Sequence, residues 1–240
     1  MVHYVRGFTT PIVNSNIVQL YGELSVDENK VNKLISPLGG AIPTFPNDFG
    51  EIVSVSSTSE LDTGKIEVWG LDSEYKIIKE RVTLDGTNLV NTFNRFSRIN
   101  NIVWLEKTAF VGEIRVTDTN NVNQYRSASP DSQTSRDCFF SVPASSKWFI
   151  DSIYASITRD SNAQSTGTVS VYGRPIGYAF RRYFKFGLAN RGSSNSYYPN
   201  NVPYEDSNPS DIYLSAYVTD ANINTPSEVI ARLIIGLRAV

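Results

Sequence analysis

Residues 63–70 read TGKIEVWG and residues 166–173 read TGTVSVYG. In each, a Thr-Gly step leads into an alternation that sends every second side chain, Ile66 and Val68 or Val169 and Val171, to one side, and an aromatic followed by glycine closes it. Side chains that alternate in this way belong to a β-strand with one face on a core. The leading glycines, Gly64 and Gly167, stand 167 − 64 = 103 residues apart, and that interval is about the size of an independent domain. The chain is therefore expected to hold the same β unit twice.

The flanks of the two octapeptides follow one order. The first copy runs from IVSVSSTSELDTGKIEVWGLDSEYKIIKERVTLDG to GEIRVTD, and the second from IYASITRDSNAQSTGTVSVYGRPIGYAFRRYFKFG to EVIARLIIG. In both, a strand precedes the Thr-Gly turn and another follows the aromatic-Gly turn, so the octapeptide reads as a hairpin strand at one fixed place in a repeated sandwich. The expected fold is all-β, with two tandem jelly-roll-like β-sandwiches over 51–135 and 136–240. A single closed barrel is the alternative, since barrels reach this length.

The first 50 residues are read as an arm that precedes the sandwiches. Ser25 and Glu28 match a capping box, Val31, Leu34 and Ile35 follow at helical spacing, and Gly39 and Gly40 stand where a helix stops. This predicts a short helix over about 26–36. Pro43 and Pro46 then mark a connector that neither continues a helix nor sits in a central strand.

Composition narrows the function. Charged residues make up 19% of the chain, against about 25% in an average soluble domain, and Asn, Ser and Thr take their place. A formal net charge of −2 argues against direct nucleic-acid binding, which needs an excess of Lys and Arg to neutralise phosphates. No stretch approaches the roughly 20 apolar residues of a membrane helix. The opening MVHYVRGFTTPIVNS lacks the apolar block of a secretory signal, so synthesis and folding in the cytosol are expected. The single cysteine, Cys138, lies beside Phe139 and Phe140 and reads as a small buried hydrophobe.

Groups suited to catalysis are few. The one histidine, His3, leaves no partner for a His-Cys zinc site and would have to carry any catalytic triad alone. Glu74, Asp85, Glu106 and Asp151 are candidates for the paired acids of glycoside hydrolysis, but they fall mostly at turns and strand ends where carboxylates are solvated. The run YEDSNPSD, with Glu205, Asp206 and Asp211, is rich in oxygen ligands yet lacks the spacing of a calcium loop. No catalytic residue, metal ligand or cofactor is assigned.

The segment GYAFRRYFKFG interleaves Arg181, Arg182 and Lys185 with Tyr178, Phe180, Tyr183, Phe184 and Phe186. Strict alternation puts Phe180, Arg182, Phe184 and Phe186 on one face and Arg181, Tyr183 and Lys185 on the other. One apolar face and one of tyrosine and cations suit a strand between a core and a protein neighbour. A solvated face and stacking on single-stranded nucleic acid are the alternatives. The stretch between Gly187 and Asp211 is longer than an ordinary connection and carries Tyr197, Tyr198 and Tyr204, suited to protein or sugar contact. The expected interface set is Tyr178, Phe180, Arg181, Arg182, Tyr183, Lys185, Tyr197, Tyr198 and Tyr204.

The run DTGKIEVWGLDSEYKIIKERVTLDG, followed by FNRFSRINNIVWLE and VGEIRVTD, resembles a pattern in virion structural proteins of tailed bacteriophages. The likeness covers about residues 51–118, and 148–240 only through the internal repeat. The second copy has Gly173-Arg174-Pro175 where the first has Gly70-Leu71-Asp72. The pattern consists of structural turns and carries over no active site. It implies a capsid decoration, cement, head-fibre, neck or tail component, acting by contact and not as an enzyme. Its partners would be major capsid or neck and tail subunits and further copies of itself, without nucleic acid or membrane. Its place would be the virion, assembled in the host cytoplasm, with the N-terminal arm reaching a neighbouring subunit. A carbohydrate- or receptor-binding module using Tyr197, Tyr198, Tyr204 or Trp69 is the rival from another class, and a glycan-degrading enzyme is the third.

Overall fold

The computed structural model describes residues 9–12, 15–27, 32–36, 44–106, 109–130, 132, 134–144, 146–159, 166–189, 194–197, 209–219 and 226–239. Every regular element among them is a β-strand. In chain order these are β1 (Thr9–Ile12), β2 (Ser15–Val26), β3 (Lys33–Leu34), β4 (Glu51–Ser57), β5 (Lys65–Leu71) and β6 (Ile77–Thr83). Then come β7 (Val90–Phe96), β8 (Arg98–Trp104), β9 (Ile114–Asp118), β10 (Gln124–Ala128), β11 (Phe139–Val142) and β12 (Ser146–Arg159). The last are β13 (Thr166–Pro175), β14 (Arg181–Ala189), β15 (Ser194–Tyr197), β16 (Ser210–Thr219) and β17 (Ser227–Ala239).

The chain divides into two compact units: a split unit of residues 1–42 with 137–240, and an inserted unit of residues 43–136. The split unit has one sheet in the order β1-β2-β17-β12-β15 and another in the order β11-β16-β13-β14, where β3 also pairs with β16. All of these pairs are antiparallel. First pairs with last (β2 with β17), second with second-last (β3 and β11 with β16), then β12 with β15 and β13 with β14. A ribbon of strands folded back on itself in this way is a jelly roll.

Strict alternation builds its core. Val229, Ala231, Leu233, Ile235 and Leu237 of β17 are all buried, as are Val18, Leu20, Leu24 and Val26 of β2 and Ile212, Leu214, Ala216 and Val218 of β16. In β12 the parity changes. A bulge at Asp151 separates the Ile150–Ile235 pair from the Ser152–Ile234 pair, so Trp148 and Ile150 before it and Ile153, Ala155 and Ile157 after it all reach one core.

The expected N-terminal arm and helix are corrected. Residues 15–26 form β2 and pair with β17 from Ser227 to Arg238, and Leu34 pairs with Ser215. Ser25, read as a helix cap, lies opposite Glu228 in this ladder. Residues 28–31 of the expected helix lie outside the described residues. The physical cause is the open edge of β17. Backbone groups along that edge need partners, and β2 supplies them while burying four aliphatic side chains, an outcome that outweighs a local capping signal.

The inserted unit has sheets ordered β10-β9-β4-β7 and β6-β5-β8, with a bridge from Thr134 to Val103 beside β8. Its pairings β4·β7, β4·β9, β5·β6 and β5·β8 repeat β12·β15, β12·β17, β13·β14 and β13·β16 of the split unit. The octapeptide strands β5 and β13 thus hold one place in two equivalent ladders, each between its hairpin partner and a later strand. Instead of following one another end to end, the units are arranged with the second lying between β3 and β11 of the first in the sequence. Its core gathers Val53, Val55, Ile66, Val68, Phe96, Ile102 and Val116.

Candidate functional site

Strand β14 carries four of the nine expected interface residues, Arg181, Arg182, Tyr183 and Lys185, and ends its sheet. Val169 lies opposite Phe186 and Val171 opposite Phe184, but Tyr172 lies opposite Arg182, so Tyr183 is an extra residue in a β-bulge. The bulge reverses the parity expected from the sequence. Tyr183 turns inward, edge-on to Trp148 with ring centroids 5.4 Å apart, beside Phe184 and Phe186 at the core. Arg182 shares the outer face with Tyr172. Tyr183 and Arg181, which lies opposite the core-facing Gly173, are thereby corrected from the outer to the inner face, while Arg182 and Phe180 move to the outer face, away from Phe184 and Phe186. Arg181, Arg182, Lys185 and Tyr178 are exposed, and none of the three cations has an ion pair among the described residues.

Behind these exposed groups lies a fixed aromatic layer. Tyr172 stacks on Tyr213 at 5.1 Å and 10°, Phe180 meets Tyr213 edge-on at 4.8 Å, and the Arg174 guanidinium sits 4.2 Å from the Phe180 ring centre. Arg174 donates from Nε and Nη2, each at 3.1 Å, to Oδ2 of the fully buried Asp211. Ser141 donates to Asp211 Oδ1 at 2.7 Å. Asp211, weighed as a calcium ligand, is thus held in an ion pair, which offsets the cost of burying its charge. Burial, followed by the neighbouring Tyr172, pushes the Tyr213 phenol up to about 12, so it stays a neutral aromatic surface at neutral pH.

A second surface was not found in the sequence. Three loops of the inserted unit, 58–64, 84–89 and the one whose described residues are 105–106 and 109–113, meet at the end of the sandwich where β4 finishes. Asp62, 3% exposed, ties them together. Its Oδ1 accepts Val111 N–H at 2.8 Å, its Oδ2 accepts Gly112 N–H at 2.8 Å and Ser57 Oγ–H at 2.5 Å, and its carbonyl accepts Gly86 N–H at 3.0 Å. Ser57 N–H donates to Gly86 O at 2.8 Å, and Thr58 N–H to Glu113 O at 3.0 Å. On this scaffold Leu61 is 77% exposed, Val111 59%, Leu89 41% and Leu105 40%. Aliphatic side chains exposed on loops this well bonded make the tip a candidate contact surface. The sequence signal was the Asp62-Thr63-Gly64 turn, which reads equally as ordinary turn chemistry.

The acids weighed for catalysis are dispersed among separate turns and strands. Glu74 pairs with Lys76 in a turn whose backbone N–H groups at Glu74 and Lys76 donate to Asp72 Oδ1. The Lys76 ammonium is held above its ordinary pKa by that hydrogen bond and charge. Asp85 accepts from Asn88 at 3.0 Å and Glu106 from Lys65 N–H at 3.2 Å, while Asp151 occupies the bulge of β12. Asp118 is lowered by the N–H groups of Val122 and its neighbours in a turn, and burial raises Tyr125, which also bonds to Glu51. Among the described residues no three His, Cys, Asp or Glu side chains gather as metal ligands, and no helix is long and apolar enough to cross a membrane. Cys138 is buried, its Sγ 3.5 Å from Ala231 O. Trp69 carries the Lys79 ammonium 3.4 Å from its ring centre and donates Nε1–H to Glu67 at 2.5 Å. The Tyr197 backbone lies in β15. Its side chain, with Tyr198, Tyr204, Glu205, Asp206 and His3, lies outside the described residues.

No family model and no curated protein matches the chain. Solved structures of viruses resemble it weakly. Infectious bursal disease virus, Gx strain, shares 10% identity at a TM-score of 0.27, over 97% of this chain and 73% of that one. Sulfolobus turreted icosahedral virus shares 13% identity at a TM-score of 0.18, over 100% of both chains. The infectious bursal disease virus VP2 subviral particle shares 9% identity at a TM-score of 0.16, over 98% of this chain and 80% of that one. The weak structural neighbours of this all-β chain are therefore viral capsid structures, at a level of likeness that carries no argument about function.

Proposed function

We propose that the chain is a structural subunit of a virus particle, most specifically a decoration, cement, head-fibre, neck or tail component of a tailed phage, which works by contact and catalyses nothing. One observation carries the reading: two jelly rolls in one chain each present unshielded contact groups on a rigid frame. In the inserted unit these are Leu61 and Val111 on loops tied by Asp62. In the split unit they are Tyr178, Arg182 and Lys185 on and beside an edge strand backed by the Tyr172–Tyr213 stack. Jelly rolls serve lectins as well as capsids, so the fold alone does not decide the role.

The resemblance of residues 51–118 to tailed-phage virion proteins supplies the narrower assignment. A sugar-binding module would need an aromatic ring free for stacking. Trp69, the candidate in the first octapeptide, already carries Lys79 over its ring. Antibody raised against the purified chain is expected to label density-purified virus particles, from the lysate in which the chain is made, at regularly repeated sites. Recovery of the chain wholly in the soluble fraction, with none on particles, overturns the proposal.

A further inference from the structure

The two contact surfaces are opposite in charge. Loops 58–64, 84–89 and 105–113 contain Glu60, Asp62, Asp85, Glu106 and Glu113 against the single Lys107, so their formal charge is 1 − 5 = −4. Glu113 is paired with Arg115 at 2.7 Å and Asp62 is buried. Glu60, Asp85 and Glu106 are exposed around the aliphatic tip and have no ion pair among the described residues. The segment 177–187 contains Arg181, Arg182 and Lys185 and no acid, a formal charge of +3. Beside these cations stands Tyr178, 66% exposed. Both surfaces combine exposed apolar groups with charges that have no ion pair among the described residues, and the two signs are opposite.

We propose that the acidic, leucine-bearing tip of the inserted unit docks on strand β14 of a second copy of this chain. Leu61 and Val111 would lie against Tyr178 and the edge of β14, with Glu60 and Glu106 facing Arg182 and Lys185, which share its outer face. The two patches differ, so the contact is heterologous. Each molecule keeps one free tip and one free strand, and repetition gives a closed ring or an open row of subunits, according to the rotation between neighbours. Tip-to-tip pairing is disfavoured by like charge, and strand-to-strand pairing by Arg182 and Lys185 on one face of the strand. The proposal rests on the contact role above and deepens it by naming one partner.

A mixing experiment tests it. The purified full chain is expected to self-associate in sedimentation velocity at low salt, with a dissociation constant that rises about tenfold or more as salt screens the pairing. The tip variant Glu60→Lys/Glu106→Lys and the strand variant Arg182→Glu/Lys185→Glu are each expected to run as monomers. An equimolar mixture of the two is expected to associate again, because the basic tip of one then meets the acidic strand of the other. Leu61→Asp/Val111→Asp, at positions already in water, is expected to abolish association in every mixture. Thermal unfolding of each variant checks that it remains folded. A wild-type chain that stays monomeric at low salt up to its solubility limit, a single reversal that associates as the wild type does, or a mixture that stays monomeric overturns the proposal. Because no particle is present, failure here leaves the particle-labelling result standing, and failure of labelling leaves this result standing.

Discussion

The split and inserted units use one strand ladder and close it by different routes. In the split unit the strand beside β17 comes from the beginning of the chain, β2, and the strands beside β16 are β3 and β11. In the inserted unit the strand beside β9 is β10, which follows it in sequence, and the group beside β8 is Thr134. The inserted unit is therefore the same jelly roll circularly permuted, opening at the strand that stands third in the split unit. An edge strand needs a partner of matching direction and facing, and chain order is indifferent to the sheet. What the order does decide is where the ends lie. The permuted unit spans 43–136, so in the sequence it falls between β3 and β11 of the other unit.

The largest test of this comparison removes the borrowed strand. Val18, Leu20, Leu24 and Val26 are each at most 3% exposed, and burying four such side chains contributes about 8 kcal/mol, comparable to the whole margin of a domain. A chain that starts at Asp27 is expected to lose the calorimetric transition of the split unit and keep that of the inserted unit. Two intact transitions in the shortened chain would return residues 1–26 to the role of an arm.

How far the sequence revealed this architecture follows from the range of the interactions involved. The octapeptide repeat was legible because alternation and turn glycines are local, and it led to the correct equivalence of β4, β5, β6 and β9 with β12, β13, β14 and β17. The N-terminal strand was misread because Ser25, Glu28, Val31, Leu34 and Ile35 spell a helix locally, while the edge that captures residues 15–26 lies about two hundred residues away along the chain. The β14 surface was legible in composition and wrong in facing. One extra residue at Tyr183 reverses every side chain before it, and nothing in YAFRRYFKF announces a bulge. The tip was missed because Asp62 joins residues 49 and 50 positions away.

The next test concerns what holds each unit. The split unit relies on long ladders, including β12 against β17, whereas the strands of the inserted unit have at most seven residues and their loops are tied by a buried carboxylate. Asp62→Ala leaves the buried Gly112 N–H, the Val111 N–H and the Ser57 hydroxyl without this acceptor. The expected cost is roughly 3–5 kcal/mol in the inserted unit, read as a lowered midpoint for its transition while the other stays in place. Equal displacement of both transitions would mean that the two units do not melt separately.

The smallest effect compares the two octapeptides directly. Each ends in a glycine that faces its core, and each glycine makes room for something different. A Cβ on Gly70 would lie 2.1 Å from the carbonyl oxygen of Arg98 and 2.7 Å from Phe96, so the neighbouring strand β8 itself would have to move. A Cβ on Gly173 would lie 2.8 Å from the ring of Tyr183 and 3.2 Å from Trp148, and Tyr183 is a partly buried side chain on an edge strand, so a ring and not a backbone has to give way. Gly70→Ala is therefore expected to cost about 3 kcal/mol and Gly173→Ala about 1 kcal/mol, both by overpacking. The second should also shift the tyrosine fluorescence or near-UV signal as Tyr183 leaves Trp148, while the first should not. Equal costs would mean that the two glycines answer one shared demand of the motif, and that the bulge at Tyr183 has no part in it.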